Sequence, residues 1–100
     1  MPTYILLSHL TDEGRKTLRE RPERIYEVNK EVEAMGARIR AQYALLGEFT
    51  FVNIMDAPDN DTMVRISIML GLRGTVRLQT YPAYEIGTVF GGVPPARGRV

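Results

Sequence analysis

Histidine occurs once in the chain, as His9, and it is the first residue to ask about because imidazole titrates near neutral pH without any help from its surroundings. In an antiparallel arrangement of the surrounding segments, His9 falls at the same sheet edge as Glu48. The pair is the candidate for a general base and the carboxylate that orients it, and the chemistry would need the two within hydrogen-bond reach. No nucleophile or second basic group joins them in sequence, and the plainer reading is a histidine at a strand end. Ser8 does not complete a triad, since adjacent strand residues point to opposite faces. With one histidine and no cysteine, a metal site would have to be made of carboxylates, and Asp56, Asp59 and Asp61 lack the glycine and terminal glutamate of an EF-hand loop. They read as a turn and a helix cap, so neither metal nor cofactor is expected. Gly71-Leu72-Arg73-Gly74 is not followed by Lys and Ser or Thr, so it serves helix termination rather than phosphate binding.

Aromatic residues Tyr4, Phe49 and Phe51, with Arg40 and Arg77 nearby, have the composition of a base-stacking RRM sheet. The stretch Gly47-Glu48-Phe49-Thr50-Phe51 lacks the leading basic residue and second glycine of that motif. Lysine plus arginine total 13 against 12 acids, leaving little attraction for phosphate; charge weighs against nucleic acid and anionic membranes alike. One hundred residues make one domain, and 44% apolar with 25% charged residues place it in the globular class. No cysteine means no disulfide or thiolate chemistry. No apolar run approaches the roughly 20 residues that span a bilayer. The opening Met1-Pro2-Thr3 has no basic n-region of a signal peptide, so the cytoplasm is the expected compartment.

The elements that must position these residues follow from period and punctuation. Thr3 to His9 reads as a strand and Thr11-Asp12-Glu13 as a helix start, giving a short helical turn near Asp12 to Arg19. A main helix runs from Pro22 to Met35, with Ile25, Val28, Val32 and Met35 on its apolar face and Gly36 as its stop. Ile39, Ala41, Tyr43 and Leu45 alternate with Arg38, Arg40 and Gln42 as a half-buried strand. Gly47-Glu48 turns the chain into a strand from Phe49 to Met55, Asp59 or Asn60 caps a helix to about Leu70, and a last strand covers Thr75 to Tyr84. The order is β-α-β-β-α-β over residues 1–86, with 87–100 a Gly/Pro-rich tail.

In that arrangement both helices lie on one side of a four-stranded antiparallel sheet. The more uniformly apolar set, Ile5, Leu7, Ile39, Ala41, Tyr43, Val52, Ile54, Val76 and Leu78, is expected to meet the helices. The opposite set, Tyr4, Leu6, Ser8, Arg40, Gln42, Ala44, Phe49, Phe51, Asn53, Met55, Arg77, Gln79 and Tyr81, is expected on the helix-free face, where its apolar members would form a patch that soluble monomers rarely leave bare. A second copy is expected to cover it. Tyr4, Leu6, Arg40, Phe49, Phe51, Asn53, Met55, Arg77 and Tyr81 are therefore the candidate ligand or dimer face.

Met1-Pro2-Thr3-Tyr4-Ile5-Leu6-Leu7-Ser8, the segment Leu45 to Thr62 and Leu70 to Arg77 together resemble the GYD-domain family, small bacterial and archaeal proteins without an established biochemical activity. The resemblance covers roughly residues 1–85. The namesake Gly-x-Tyr-Asp motif stands here as Gly47-Glu48-Phe49-Thr50, keeping the turn glycine and an aromatic ring but neither phenol nor acid. It implies a ferredoxin-like α+β fold whose relatives pair sheet against sheet as dimeric α/β barrels. The favoured expectation is a non-enzymatic homo-oligomeric domain, structural or holding a small apolar ligand between paired sheets. The alternatives are a cofactor-independent monooxygenase or isomerase of the α/β-barrel kind, drawing on His9, Asn53, Arg40 or Arg77, and an accessory subunit or regulator of a larger complex.

Overall fold

The computed structural model describes residues 1–91. Strand β1 (Thr3–Leu10) leads through helices α1 (Asp12–Glu20) and α2 (Arg24–Ala34) to β2 (Arg38–Ala44) and β3 (Phe51–Asp56), then helix α3 (Asn60–Leu72), β4 (Val76–Ala83) and a short helix α4 (Ile86–Phe90). The four strands are antiparallel in the order β2-β3-β1-β4, the ferredoxin-like α+β arrangement that the sequence pattern anticipates. Among the described residues no helix is long and apolar enough to cross a membrane.

Local chemistry sets the element ends. The Thr11 hydroxyl accepts the Gly14 N–H at 3.1 Å and donates to the Gly74 carbonyl at 2.7 Å, so one residue caps α1 and ties it to the start of β4. Asp59 accepts both the N–H (2.9 Å) and the hydroxyl (2.8 Å) of Thr62 at the head of α3, and these bonds hold its carboxyl below the usual range. Helix α2 begins at Arg24, two residues past the expected Pro22, because Arg21 to Glu23 form a turn in which the Pro22 carbonyl accepts from Ile25 N–H at 3.4 Å. Strand β3 begins at Phe51 rather than Phe49: Gly47, at φ 146°, carries a wider loop over residues 45–50. Helix α4 is an element the sequence reading lacks. Its cap is Glu85, whose carboxylate accepts the Thr88 N–H at 3.0 Å. The expected tail lies, from residue 92 onward, outside the described residues.

The larger departure concerns which side of the sheet meets the helices. Tyr4, Leu6, Met55, Ala57, Val32, Ala37, Met63, Ile66 and Leu70 form the core, with Ser8 buried beside them. The even-numbered residues of β1 and the odd-numbered residues of β3 therefore face α2 and α3. Tyr4, Leu6, Phe51, Asn53 and Met55 are not on the helix-free face; Ile5, Leu7, Val52 and Ile54 are. The cause is that β1 and β3 are the central strands and are apolar on both faces, so their own alternation names no inside. Register decides it. Leu6 pairs with Thr80 and Ser8 with Leu78, which places them on the side where Val76 and Leu78 pack against the core. A bulge between Ile39 and Ala41 reverses parity along β2, so Ile39 and Gln42 lie on the helix side while Ala41 and Tyr43 lie on the other.

Gly14 is buried where α1 crosses the start of β4. A Cβ built there would stand 2.0 Å from the Thr75 carbonyl oxygen, whereas one at Gly71, inside α3, meets nothing within 4 Å. Gly14→Ala is therefore expected to cost about 3 kcal/mol through overpacking against backbone. Gly71→Ala should be neutral or stabilise by about 0.5–1 kcal/mol through helix propensity. Urea unfolding of the two variants checks the contrast.

Candidate functional site

Two surfaces result from this topology, one on each side of the sheet. The helix-free side carries Thr3, Ile5, Leu7 and His9 from β1, Ala41 and Tyr43 from β2, Val52, Ile54 and Asp56 from β3, and Arg77, Gln79 and Tyr81 from β4, by alternation and register. Its centre, Ile5, Leu7, Ala41, Val52 and Ile54, is aliphatic and half-buried by its own neighbours. Its rim is polar. Arg40 Nη1 donates to the Thr3 hydroxyl and the Asp56 carboxylate, each at 3.4 Å, at one end. The Tyr81 hydroxyl donates to Gln79 at 2.6 Å on the β4 side. At the far end His9 lies against Phe49, ring centroids 4.6 Å apart and tilted by 35°.

Of the residues expected on this surface, Arg40, Phe49, Arg77 and Tyr81 lie on it. Among the described residues no hydrogen bond joins His9 to Glu48: the imidazole packs on the phenyl ring instead, and the loop over 45–50 leaves Glu48 exposed. Nor does any group of three His, Asp or Glu residues able to hold a metal ion occur among the described residues.

The second surface is a cleft of about 710 Å³ on the helix side, between α1 and α2 above and the sheet below. Its floor is Leu6, Ser8, Phe51, Asn53, Met55 and Leu78, and its roof includes Thr17, Leu18, Ile25, Val28 and Val32. Three of the residues expected on the open face, Leu6, Phe51 and Met55, thus become its apolar floor. Tyr4 does not line it. The Tyr4 hydroxyl donates to Asn60 Oδ1 at 2.6 Å at the head of α3, and burial, with the Asp59 carboxylate nearby, raises its pKa.

An amide strut crosses the cleft. Gln42 and Asn29 exchange two hydrogen bonds of 3.0 Å, and Gln42 Nε2 also donates to Asn53 Oδ1 at 2.7 Å. This links α2 to β2 and β3 by polar contacts where a tight helix would use apolar ones. At the other end, Arg24 donates to Glu27 at 3.1 Å and to Glu31 at 3.2 Å, and Arg73 pairs with Glu31. Among the described residues, Arg73 Nη1 and Glu31 Oε2 are both buried there without a hydrogen bond, Glu31 Oε2 lying in ion-pair range of Arg73 Nη2. The sequence reading missed this cleft. The signal was available in Asn29 and Gln42, polar residues at positions facing the sheet and the helix, but it needed the bulge at Ile39/Ala41 to become visible.

The family model for the GYD domain matches residues 4–89, and the chain belongs to that family. Over 87 residues it is 48% identical to a Thermus thermophilus protein described as a glutamine synthetase and cystathionine beta-lyase binding protein, covering 86% of this chain and 92% of the relative. Among solved structures, TTHA0845 from Thermus thermophilus superposes with a TM-score of 0.54 at 17% identity, covering 85% of this chain and 95% of that one. FFRP-DM1 gives a TM-score of 0.53 at 18% identity, covering 84% of this chain and all of its own (100%). At such identities the two structures establish the fold alone.

The Arg73 guanidinium beside Glu31, with Arg24 assisting, holds the Glu31 carboxyl below the usual carboxylate range. A carboxyl whose folded pKa is depressed contributes stability above its unfolded pKa and loses it as pH falls through the folded value. Glu31→Gln is therefore expected to lower the urea midpoint at pH 6 and to flatten its decline between pH 5 and pH 3. An acid limb as steep as that of the parent chain would show that this carboxylate does not anchor α2 to the end of α3.

Proposed function

We propose that the protein is a non-enzymatic binding subunit: two copies pair across their helix-free sheet faces, and the pair attaches to metabolic enzymes through its outward helices. The observation that carries the reading is the aliphatic centre of the open face. Ile5, Leu7, Val52 and Ile54 come from the two central strands, and no element of the described chain lies across them. Fully burying a side chain of this kind gains about 1.5–3 kcal/mol, and an exposed apolar patch of several hundred Å² normally marks an interface. A second copy suits it because an isologous interface needs a self-complementary surface. The rim supplies both signs: Arg40 and Asp56 at one end, Arg77 at the other.

Pairing sheet to sheet turns the helices outward, and α3 then carries an apolar stripe on its solvent side. Val64, Ile68 and Leu72 recur every four residues and are exposed at 54%, 57% and 82%. This is a helix face with no partner within the described chain. The relative's description as a protein that binds glutamine synthetase and cystathionine beta-lyase supports enzymes of that kind as the partners of this chain. A cofactor-independent enzyme of the α/β-barrel type is the second reading, favoured by the cleft above the sheet.

The two surfaces can be separated experimentally. Ile54→Asp is expected to convert the dimer to a monomer in light scattering coupled to size exclusion. Ile68→Asp is expected to leave the dimer intact while weakening capture of purified glutamine synthetase and cystathionine β-lyase by at least about tenfold, the loss of one well-placed interface anchor. An Ile54→Asp protein that stays dimeric would remove the sheet-pairing part. Failure of the parent dimer to retain either enzyme would remove the partner part.

A further inference from the structure

We infer that helix α4 is an arm with which each copy clasps a second copy of this chain, Ile86, Val89 and Phe90 packing on the other copy beside the paired sheets. The inference deepens the proposed pairing of two copies and rests on it, whereas the enzyme partners play no part in it. It starts from a helix that its own sequence does not explain. Ile86-Gly87-Thr88-Val89-Phe90 consists of a glycine, three β-branched residues and an aromatic, all of them poor helix formers. Isolated helices shorter than about 12–15 residues are marginal in water even when rich in alanine, and helices in proteins draw most of their stability from a packed apolar face. The Glu85 carboxylate, which accepts the Thr88 N–H, and the Gly91 N–H, which donates to the Gly87 carbonyl at 2.9 Å, satisfy the two ends of α4. Neither supplies a packed face.

Among the described residues that face is bare. Ile86, Val89 and Phe90 stand at i, i+3 and i+4, on one side of the helix, and are exposed at 62%, 59% and 64%, with no residue of α4 buried. A helix this short that is formed in every folded chain needs a partner that every folded chain has. Another copy of the chain meets that condition; an enzyme bound only at times does not. No residue from Ile86 to Phe90 carries a charge, so burying the arm leaves no ion to be paired. Position and area point to the same occupant. The arm follows the edge strand β4, and Ala83 at the end of that strand pairs with Thr3, so α4 leaves the sheet at the end where Thr3 and Asp56 form the rim of the open face. Four strands about 4.8 Å apart and roughly seven residues long, at about 3.3 Å per residue, give a face of about 450 Å² in plan. A standard interface buries about 800 Å² of surface on each partner, more than a sheet of that extent offers by itself. Three large apolar side chains on an arm extend the contact beyond the sheet.

Sedimentation equilibrium of the full chain and of two variants separates the arm from the sheet. Phe90→Ala is expected to weaken the dimer about tenfold or more, the effect of truncating one interface anchor. Phe90 is exposed in its own chain, so the loss does not come from a damaged subunit. Amide hydrogen exchange gives a second readout. The Val89 and Gly91 N–H groups, which donate to the Glu85 and Gly87 carbonyls, should be protected in the parent dimer and exchange freely in the Ile54→Asp monomer. An undiminished Phe90→Ala dimer would overturn the arm and leave sheet pairing in place. Protection that persists in the Ile54→Asp monomer would overturn it by assigning the helix to its own chain, and protection that appears only on adding the purified enzymes would overturn it by giving the helix to them. A dimer lost in Phe90→Ala but kept in Ile54→Asp would support the arm and remove the sheet face, and a monomeric parent chain would remove both.

Discussion

The helices of this fold can cover one side of the sheet, while its two central strands are apolar on both. Every other feature follows from that mismatch. Tyr4, Leu6, Met55, Met63 and Ile66 are buried on the covered side. Ile5, Leu7, Val52 and Ile54 then stand on the other with only their neighbours and a polar rim to shield them. A domain of this size buries a modest fraction of its chain and has little stability in reserve to leave such a surface wet. Association is the ordinary physical solution for such a surface.

The covered side has its own division of labour. Helix α3 is fixed at both ends, by the Asp59 cap and the Tyr4–Asn60 bond at its head and by the Glu31–Arg73 pair at its tail, and it buries Met63, Ile66 and Leu70. Helix α2 buries only Val32 fully and is held over β2 by amides. One helix therefore makes the core and the other makes a roof. Local stability should differ accordingly, since elements with few buried apolar contacts open at lower free energy.

Fold class was legible in the sequence because punctuation and period agree: Thr11, Asp59 and the glycines mark the ends that the helices and strands adopt. The face assignment was not. Alternation fixes which residues share a side but not which side is inside, and in β1 both candidate sets, Tyr4-Leu6-Ser8 and Ile5-Leu7, look apolar. Choosing the more uniform set selected the open face, because the covered set contains the small buried Ser8 and also Tyr4 and Asn53, whose polar atoms are met by Asn60 of α3 and by Gln42. The bulge in β2 compounded the error by reversing parity halfway along the strand, a feature that hydropathy carries no trace of. Strand β4, an edge strand with Arg77 and Gln79 alternating with Val76 and Leu78, was read with the correct side inward. Arg40, Arg77, Phe49 and Tyr81 lie on the open face as expected, the first through its bond to Thr3 and Asp56.

Isotope-filtered NOE spectroscopy on a sample mixed from methyl-labelled and unlabelled chains tests the central claim most directly, because it reports only contacts between copies. Sheet pairing predicts intermolecular NOEs among the methyl groups of Ile5, Leu7, Val52 and Ile54. Intermolecular NOEs confined to Val64, Ile68 and Leu72, or none at all at concentrations where the protein is otherwise well folded, would contradict it.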